Sequence, residues 1–412
     1  MSDLSGHAVY PLFQKGLYMS SRDIVLCVPV RTPIGAFNGS LKSVPATELG
    51  AVAVRAAIAR SGIDPRHIDS VLMGNVVQAG NRMNPARQVA VNGGIPVDVP
   101  AMTLNRVCGS GAQAIVTASH EILAGESEVV VAGGMENMDL APYLLPSARW
   151  GARMGHAQML DSLLHDGLGD AFSSQHSGWH TEDLVRQAGI DRDDQDRWAE
   201  RSQRLFSVAK AGGAFDEEIA PVKLVGKKGA ELFDADEANR PDTGLEGLAR
   251  LKPVFRPDGS ITAGNAPGLN SGAAALIVAE RGAAETLGLR PLARLVASSV
   301  AAVEPGMFGL GPVPAVRMAL DRAGWKLSDV ERYEINEAFA AVPLAALRAL
   351  SLPEDVVNPE GGAIAHGHPI GATGAILTVR LLHAMRRDVI RRGVITLCIG
   401  GGQGIALALE KV

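Results

Sequence analysis

Residues 53–62 read AVRAAIARSG, and residues 315–324 read AVRMALDRAG, an ungapped offset of 262 residues (315 against 53). The likeness runs on beyond the two stretches. IDPRHIDSVLMGN (63–75) and WKLSDVERYEINE (325–337) each continue from a helix-ending Gly through a turn to an apolar strand. At nearly the same offset, Cys108-Gly-Ser-Gly-Ala falls opposite Ile370-Gly-Ala-Thr-Gly-Ala, and VVVAGG (129–134) opposite TLCIGG (396–401). One matching helix could arise by chance among Ala- and Arg-rich segments, but four segments in the same order imply a duplicated unit.

Each unit reads as α/β. Short apolar strands such as IVLCVPV (24–30), SVLMGNVV (70–77) and EVVVAGG (128–134) alternate with helices such as TELGAVAVRAAIARSG (47–62). Strands separated by helices of this length predict parallel pairing in sheets covered on both faces. The stretch between the units differs. It carries the charge-dense helix DRDDQDRWAERSQRLFSVAKAG (191–212) and the turn-rich KKGAELFDADEANRPDTG (227–244), the pattern of an inserted loop region that carries specificity. The expected organisation is an extension over 1–20, a first half over 21–140, an insert over 141–265 and a second half over 266–412.

Composition narrows the function. A chain of 412 residues exceeds one ordinary core, and 47% apolar with 20% charged residues is ordinary for a soluble protein. A net charge of -5 argues against nucleic-acid or membrane-surface binding, which favour a basic face. No apolar run approaches the length of a membrane span, and the first twenty residues lack the pattern of a secretory signal. The expected location is therefore the cytoplasm. Three cysteines, Cys27, Cys108 and Cys398, leave at least one unpaired, and none lies at metal-ligand spacing from another.

Four motifs carry chemistry. In N-R-V-C-G-S-G-A (105–112), Cys108 precedes a helical run, where free N–H groups and the helix dipole favour a thiolate. In G-G-A-I-A-H-G-H-P-I-G-A-T-G (361–374), the duplication puts His368 just before the matching helix, where a neutral imidazole able to accept a thiol proton is favoured. His366 and His368 could be two metal ligands, but no third ligand is near, so no metal is expected. In T-L-C-I-G-G-G-Q-G (396–404), Cys398 ends a strand, placing its thiol at the carboxyl edge where open α/β sheets bind ligands. In N-E-A-F (336–339), Asn336 also ends a strand, and an amide there can polarise a carbonyl.

Together these blocks resemble the thiolases. The resemblance covers residues 20–412, takes in R-T-P-I-G (31–35), A-G-G-M-E (132–136) and T-A-G-N-A (262–266), and is nearest the acetyl-CoA C-acetyltransferases, with 3-ketoacyl-CoA thiolases of broader chain length beside them. It implies the thiolase fold, two α/β halves in a layered α-β-α-β-α core with an inserted loop domain. It also implies acyl-CoA substrates, no permanently bound cofactor and a homo-oligomer, dimer or tetramer. By this resemblance Cys108 carries the acyl group, His368 activates its thiol, and Cys398 moves the proton on and off the α-carbon of the second acyl unit. One oxyanion site would be His368 with a water held by Asn336; the other would be the N–H groups of Cys108 and Gly400. His366, at a usually apolar position, is assigned no catalytic role. Matching to related enzymes places Arg240 near the adenine end of coenzyme A, and His176, Phe255, Phe339 and Phe308 along the pantetheine and acyl pocket. Pro267, Ser271, Ser177 and Phe308 depart from the residues common in the family, and none of these belongs to the catalytic set.

Three other readings fit less well. Decarboxylating condensing enzymes share the duplicated fold but use no second cysteine, whereas Cys398 is present. A non-catalytic carrier on the same scaffold would lack one of these side chains. A nicotinamide oxidoreductase would need a dinucleotide fingerprint.

Overall fold

The computed structural model of the chain describes residues 22–226 and 229–412, and the expected extension over 1–20 lies outside them. In the first half, β1 (Ile24–Arg31) leads to α1 (Ala46–Ser61), β2 (Ser70–Gly74), β3 (Ala101–Leu104), α2 (Ser110–Ala124) and β4 (Val129–Asn137). The insert contributes α3 (Ser177–Ala188), α4 (Arg192–Ala211) and a small hairpin, Val222–Gly226 against Gly229–Phe233. Then come β5 (Asn270–Glu280), β6 (Pro291–Ala302), α5 (Pro312–Ala323), β7 (Arg332–Ile335), α6 (Ala341–Leu350), α7 (Thr373–Arg387), β8 (Arg392–Ile399) and β9 (Gln403–Lys411).

The strands run in the order β7-β8-β9-β6-β1-β5-β4-β2-β3. At the centre β1 meets β6 antiparallel, with Val25 opposite Arg294. Each half then repeats outward from that seam: β1, β5, β4 and β2 on one side correspond to β6, β9, β8 and β7 on the other. The repeated helices stop alike. Gly62 ends α1 at φ 71° and Gly324 ends α5 at φ 69°, the left-handed caps that glycine takes without a Cβ penalty.

Two expectations need correction. Pairing is parallel only for β2–β3, β2–β4 and β7–β8; β5 and β9 instead run antiparallel to both of their neighbours. The reason is local at β9, which follows β8 across a glycine turn with Gly401 and Gly402 at φ 83° and 85°, too short to hold a crossover helix. A boundary at 266 is also too early. β5, residues Asn270–Glu280, lies between β1 and β4 and so completes the sheet of the first half.

The layers follow from which face each helix covers. One core joins α1 to β1, β2, β4 and β5, through Leu49, Val54, Val71, Val131 and Ile277. A second joins α5 and α6 to β7, β8 and β9, through Val316, Leu347, Tyr333, Val394 and Ala408. Between the two halves of the sheet, α2 and α7 form the shared layer: Ile115 and Ile122 pack with Leu72 and Val130, and Leu377 and Leu381 with Ile395 and Leu407. Every residue of β4 is buried, which explains its run of Val, Ala and Gly without alternation. Each fully buried Leu or Ile of this layer contributes about 1.5–3 kcal/mol relative to exposure.

The paired helices touch by main chain. A Cβ on Gly111 would sit 2.7 Å from the Ala375 nitrogen, and one on Gly374 would sit 2.4 Å from the Ala112 nitrogen. These glycines occupy matching places in the repeat, so the two helix starts meet about a twofold relation. The insert is tied to the first half by buried Arg31, which pairs with Glu218 and Asp236, each at 2.7 Å. Among the described residues, no helix is long and apolar enough to cross a membrane.

Candidate active site

The helix starts of α2 and α7 point into the same region, and the site is built there. The loop before α2 closes on itself: the Arg106 N–H donates to Ser110 Oγ at 2.8 Å, the Ser110 hydroxyl to the Val107 carbonyl at 2.6 Å, and the Val107 N–H to Asn105 Oδ1 at 2.9 Å. Val107 is held at φ 44°, a left-handed conformation costly for a β-branched residue. This strained step presents the Cys108 side chain to a cavity of about 240 Å³ that His368 and Gly400 also line.

Cys108 differs from the expectation in one respect. Burial pushes the Cys108 thiol up to about 11, with the nearby Glu136 carboxyl adding to it, and outweighs the N–H groups of Gly400 and of Cys108 itself, which favour the thiolate. The resting nucleophile is therefore a neutral thiol. A helix start is visible in sequence, whereas desolvation of the sulfur is not.

His368 is fixed from three sides. Its N–H donates to Asn270 Oδ1 at 2.8 Å, Nδ1 lies 2.7 Å from Thr373 Oγ1, and Nε2 lies 3.4 Å from Asn336 Nδ2. The Thr373 hydroxyl donates to the Pro369 carbonyl at 2.8 Å, so its oxygen accepts from Nδ1–H. That assignment leaves Nε2 as the bare, basic nitrogen. Burial lowers the imidazole to about 4, so it is neutral across the physiological range. The cause is desolvation rather than the helix dipole.

Cys398 and Asn336 sit one layer beneath the cavity wall. Cys398, next to last in β8, is fully buried; desolvation raises its thiol well above the ordinary value, and negative charge on Cys108 would raise it further. Asn336 directly follows β7, fully buried, with its Oδ1 unpartnered. Thus Cys108 of the first half shares a cavity with His368 of the second, with Asn336 against His368 and Cys398 near enough to Cys108 to feel its charge.

The aromatic residues expected along the pocket all line this cavity. His176 caps α3, accepting the Gly178 N–H on Nδ1 at 3.0 Å, and stacks on Phe255 with ring centroids 4.6 Å apart. Phe339 meets Phe255 edge-on at 6.0 Å, and Phe308 is buried. Arg240 is not among them. It lines an adjoining groove of about 430 Å³ that shares Ala266, Gly268 and Leu269 with the first cavity. His366 is buried away from the cavity with both ring nitrogens unpartnered, and burial beside Arg380 and Arg31 lowers it well below its ordinary value.

Sequence reasoning missed several contributors. Met138, Leu168 and Ile370 form apolar wall. Thr373 and Asn270 orient His368, and Glu136 ties the loops beneath it. Thr373, five residues after His368 at the start of the following helix, was the one readable signal.

The site can do two things without a metal. A thiol with a neutral imidazole can attack a carbonyl, and main-chain N–H groups beside the sulfur can hold the oxyanion that forms. A second buried thiol can exchange a proton with carbon on the other side.

Comparison with known proteins gives a consistent picture. The family model described as "Thiolase, N-terminal domain" matches residues 24–282, and "Thiolase, C-terminal domain" matches 289–411. An acetyl-CoA acetyltransferase of Pseudomonas aeruginosa is 50% identical over 95% of this chain and 100% of its own length. One from Cupriavidus necator is 47% identical, over 94% of this chain and 99% of its own. Among solved structures, the Bacillus anthracis acetyl-CoA acetyltransferase superposes with a TM-score of 0.94 at 42% identity, covering 96% of this chain and 100% of that one. Human mitochondrial 3-ketoacyl-CoA thiolase superposes with a TM-score of 0.92 at 41% identity, covering 95% and 99%.

Proposed function

Because the chain belongs to the thiolase family, we propose that it is an acetyl-CoA C-acetyltransferase, joining two acyl-CoA units or cleaving a 3-ketoacyl-CoA through an acyl group on Cys108. The observation that carries this reading is the convergence of two thiols and one imidazole from opposite halves, with Gly400 lining the same cavity as Cys108 and His368.

In the cleavage direction, His368 Nε2 takes the Cys108 proton as the sulfur attacks the 3-keto carbon. The bond between the α-carbon and that carbon then breaks, leaving the acyl group on Cys108. The carbanion of the departing acetyl-CoA takes its proton from Cys398. His368 then passes its proton to the Cys398 sulfur. It takes the thiol proton of coenzyme A as the coenzyme's sulfur attacks the acyl-cysteine, and returns it to Cys108 as the shortened acyl-CoA leaves. The Cys108 and Gly400 N–H groups hold the oxygen of the acyl thioester, and His368 with an Asn336-bound water holds that of the thioester enolate. Each well-placed donor of this kind is typically worth about 3 kcal/mol. Neutral resting groups suit this scheme, because the proton leaves Cys108 only as the carbonyl arrives.

The coenzyme would lie in the groove beside Arg240, with its pantetheine passing Ala266 and Gly268 to reach Cys108 between His176, Phe255, Phe339 and Phe308. Work in the cytoplasm on fatty-acid and lipid precursors fits this chemistry. A homo-oligomer, dimer or tetramer, fits the exposed apolar side chains of the insert, among them Trp150, Met154 and Phe172.

The test is a pair of variants. Cys108→Ser should lose thiolysis of acetoacetyl-CoA and leave no acyl group on the protein. Cys398→Ser should still exchange acetyl groups with coenzyme A while losing carbon–carbon bond chemistry. Normal turnover by the first, or equal loss of both steps by the second, would end the assignment.

A further inference from the structure

Glu136 closes β4 with a side chain that is completely buried, and no cation among the described residues pairs with it. Its carboxyl instead collects four N–H donors from two loops. Oε1 accepts from Asn75 Nδ2 at 2.8 Å and the Val77 N–H at 3.3 Å. Oε2 accepts from the Val76 N–H and the Gly371 N–H, each at 3.0 Å. Gly371 is three residues beyond His368, so this last bond joins the histidine loop of the second half to the strand ends of the first.

The surroundings are shaped to admit the carboxyl. A Cβ on Gly371 would lie 2.6 Å from Glu136 Oε2 and 2.8 Å from the Met135 carbonyl. A Cβ on Gly74 would lie 2.6 Å from the Ser110 carbonyl carbon and 2.7 Å from the Gly371 oxygen. The end of β2, the start of α2 behind Cys108, and the His368 loop therefore meet at one junction, with Glu136 beneath it.

We propose that Glu136 is a positioning residue for the acyl-transfer chemistry, holding the histidine loop against the cysteine loop so that His368 stays placed beside Cys108. The inference rests on the functional reading above. The four N–H donors favour the anion, but burial outweighs them and raises the group to about 8. The carboxyl is therefore largely neutral at pH 7 and becomes the anion above about pH 8; where it is charged, it adds to the desolvation that holds the Cys108 thiol up. The other titratable groups facing the site are His368, His176 and Cys398, all neutral at rest.

Two variants separate grip from charge. Glu136→Gln keeps one acceptor oxygen for Val76 and Gly371 but no charge; Glu136→Leu loses both. The readouts are the pH dependence of Cys108 alkylation by iodoacetamide, and kcat and KM for thiolysis of acetoacetyl-CoA. For Glu136→Gln the alkylation midpoint is expected to fall by at least half a pH unit. For Glu136→Leu, kcat should fall at least tenfold, with KM changed less than threefold. An unmoved midpoint together with kcat within twofold of wild type in both variants would overturn the proposal. Should neither variant fold, hydrogen exchange on the wild-type protein decides: Val76, Val77 and Gly371 amides exchanging as fast as open loops would overturn it. The presence of the acyl-Cys108 adduct in wild type is scored separately, so that failure of the enzyme assignment is not mistaken for failure of this one.

Discussion

Replacing Thr373 by Val removes one oxygen and little volume. In the wild type that oxygen accepts Nδ1–H of His368 at 2.7 Å while its own proton goes to the Pro369 carbonyl. Valine leaves Nδ1–H buried without an acceptor, at a cost of about 1–3 kcal/mol. The imidazole can escape that cost by moving its proton to Nε2, but a protonated Nε2 cannot take the thiol proton that the proposed mechanism hands to it. Either way the productive tautomer loses its advantage, and kcat for acetoacetyl-CoA thiolysis should fall about 10- to 100-fold. KM should change little, because Thr373 is fully buried and does not line the cavity. Thr373→Ser, which restores the hydroxyl, should recover most of the rate. Steady-state kinetics of the three proteins, each checked by thermal melting, is the assay. A valine variant within twofold of wild type would refute the tautomer argument, as would a serine variant no better than valine.

Two further outcomes follow from burial and backbone contact. Gly374→Ala puts a Cβ 2.4 Å from the Ala112 nitrogen, and main chain on both sides cannot yield cheaply, so unfolding free energy should fall by about 1–3 kcal/mol or more in denaturant titrations; an unchanged midpoint would contradict the close helix contact. His366 is buried neutral with an affinity for protons well below the ordinary 6.5, so the unfolded chain gains a proton that the folded one refuses, and stability drops as pH falls below about 6.5. His366→Leu removes this acid-sensitive term and should stabilise by about 2 kcal/mol more at pH 5 than at pH 8; an equal shift in melting temperature at both pH values would count against it.

The duplication could be read because glycine caps, apolar strands and helix starts leave local marks, and Gly62 and Gly324 do end equivalent helices. The placement of Cys108, Asn336, His368 and Cys398 was equally legible, each being a chemical group beside a strand or helix end. What escaped depends on contacts remote in sequence. The strand Asn270–Glu280 lies far along the chain from β1 and β4, beyond the whole insert, and nothing in its own residues says that it returns between them. Glu136 meets Gly371 across a separation of 235 residues, and its role exists only when both halves are folded. The protonation state of Cys108 was not legible for a related reason, since local sequence shows the helix start, which favours a thiolate, but not the desolvation that outweighs it.

The contact of α2 with α7 through Gly111 and Gly374 has a bearing on how such an enzyme can diversify. Where two main chains abut, the spacing between the Cys108 loop and the His368 loop is set by the polypeptide itself and barely responds to side-chain exchange. Tuning for longer or bulkier acyl groups must therefore act on the walls, at Phe308, Pro267 and the insert, while the reacting atoms keep one gauge for every substrate.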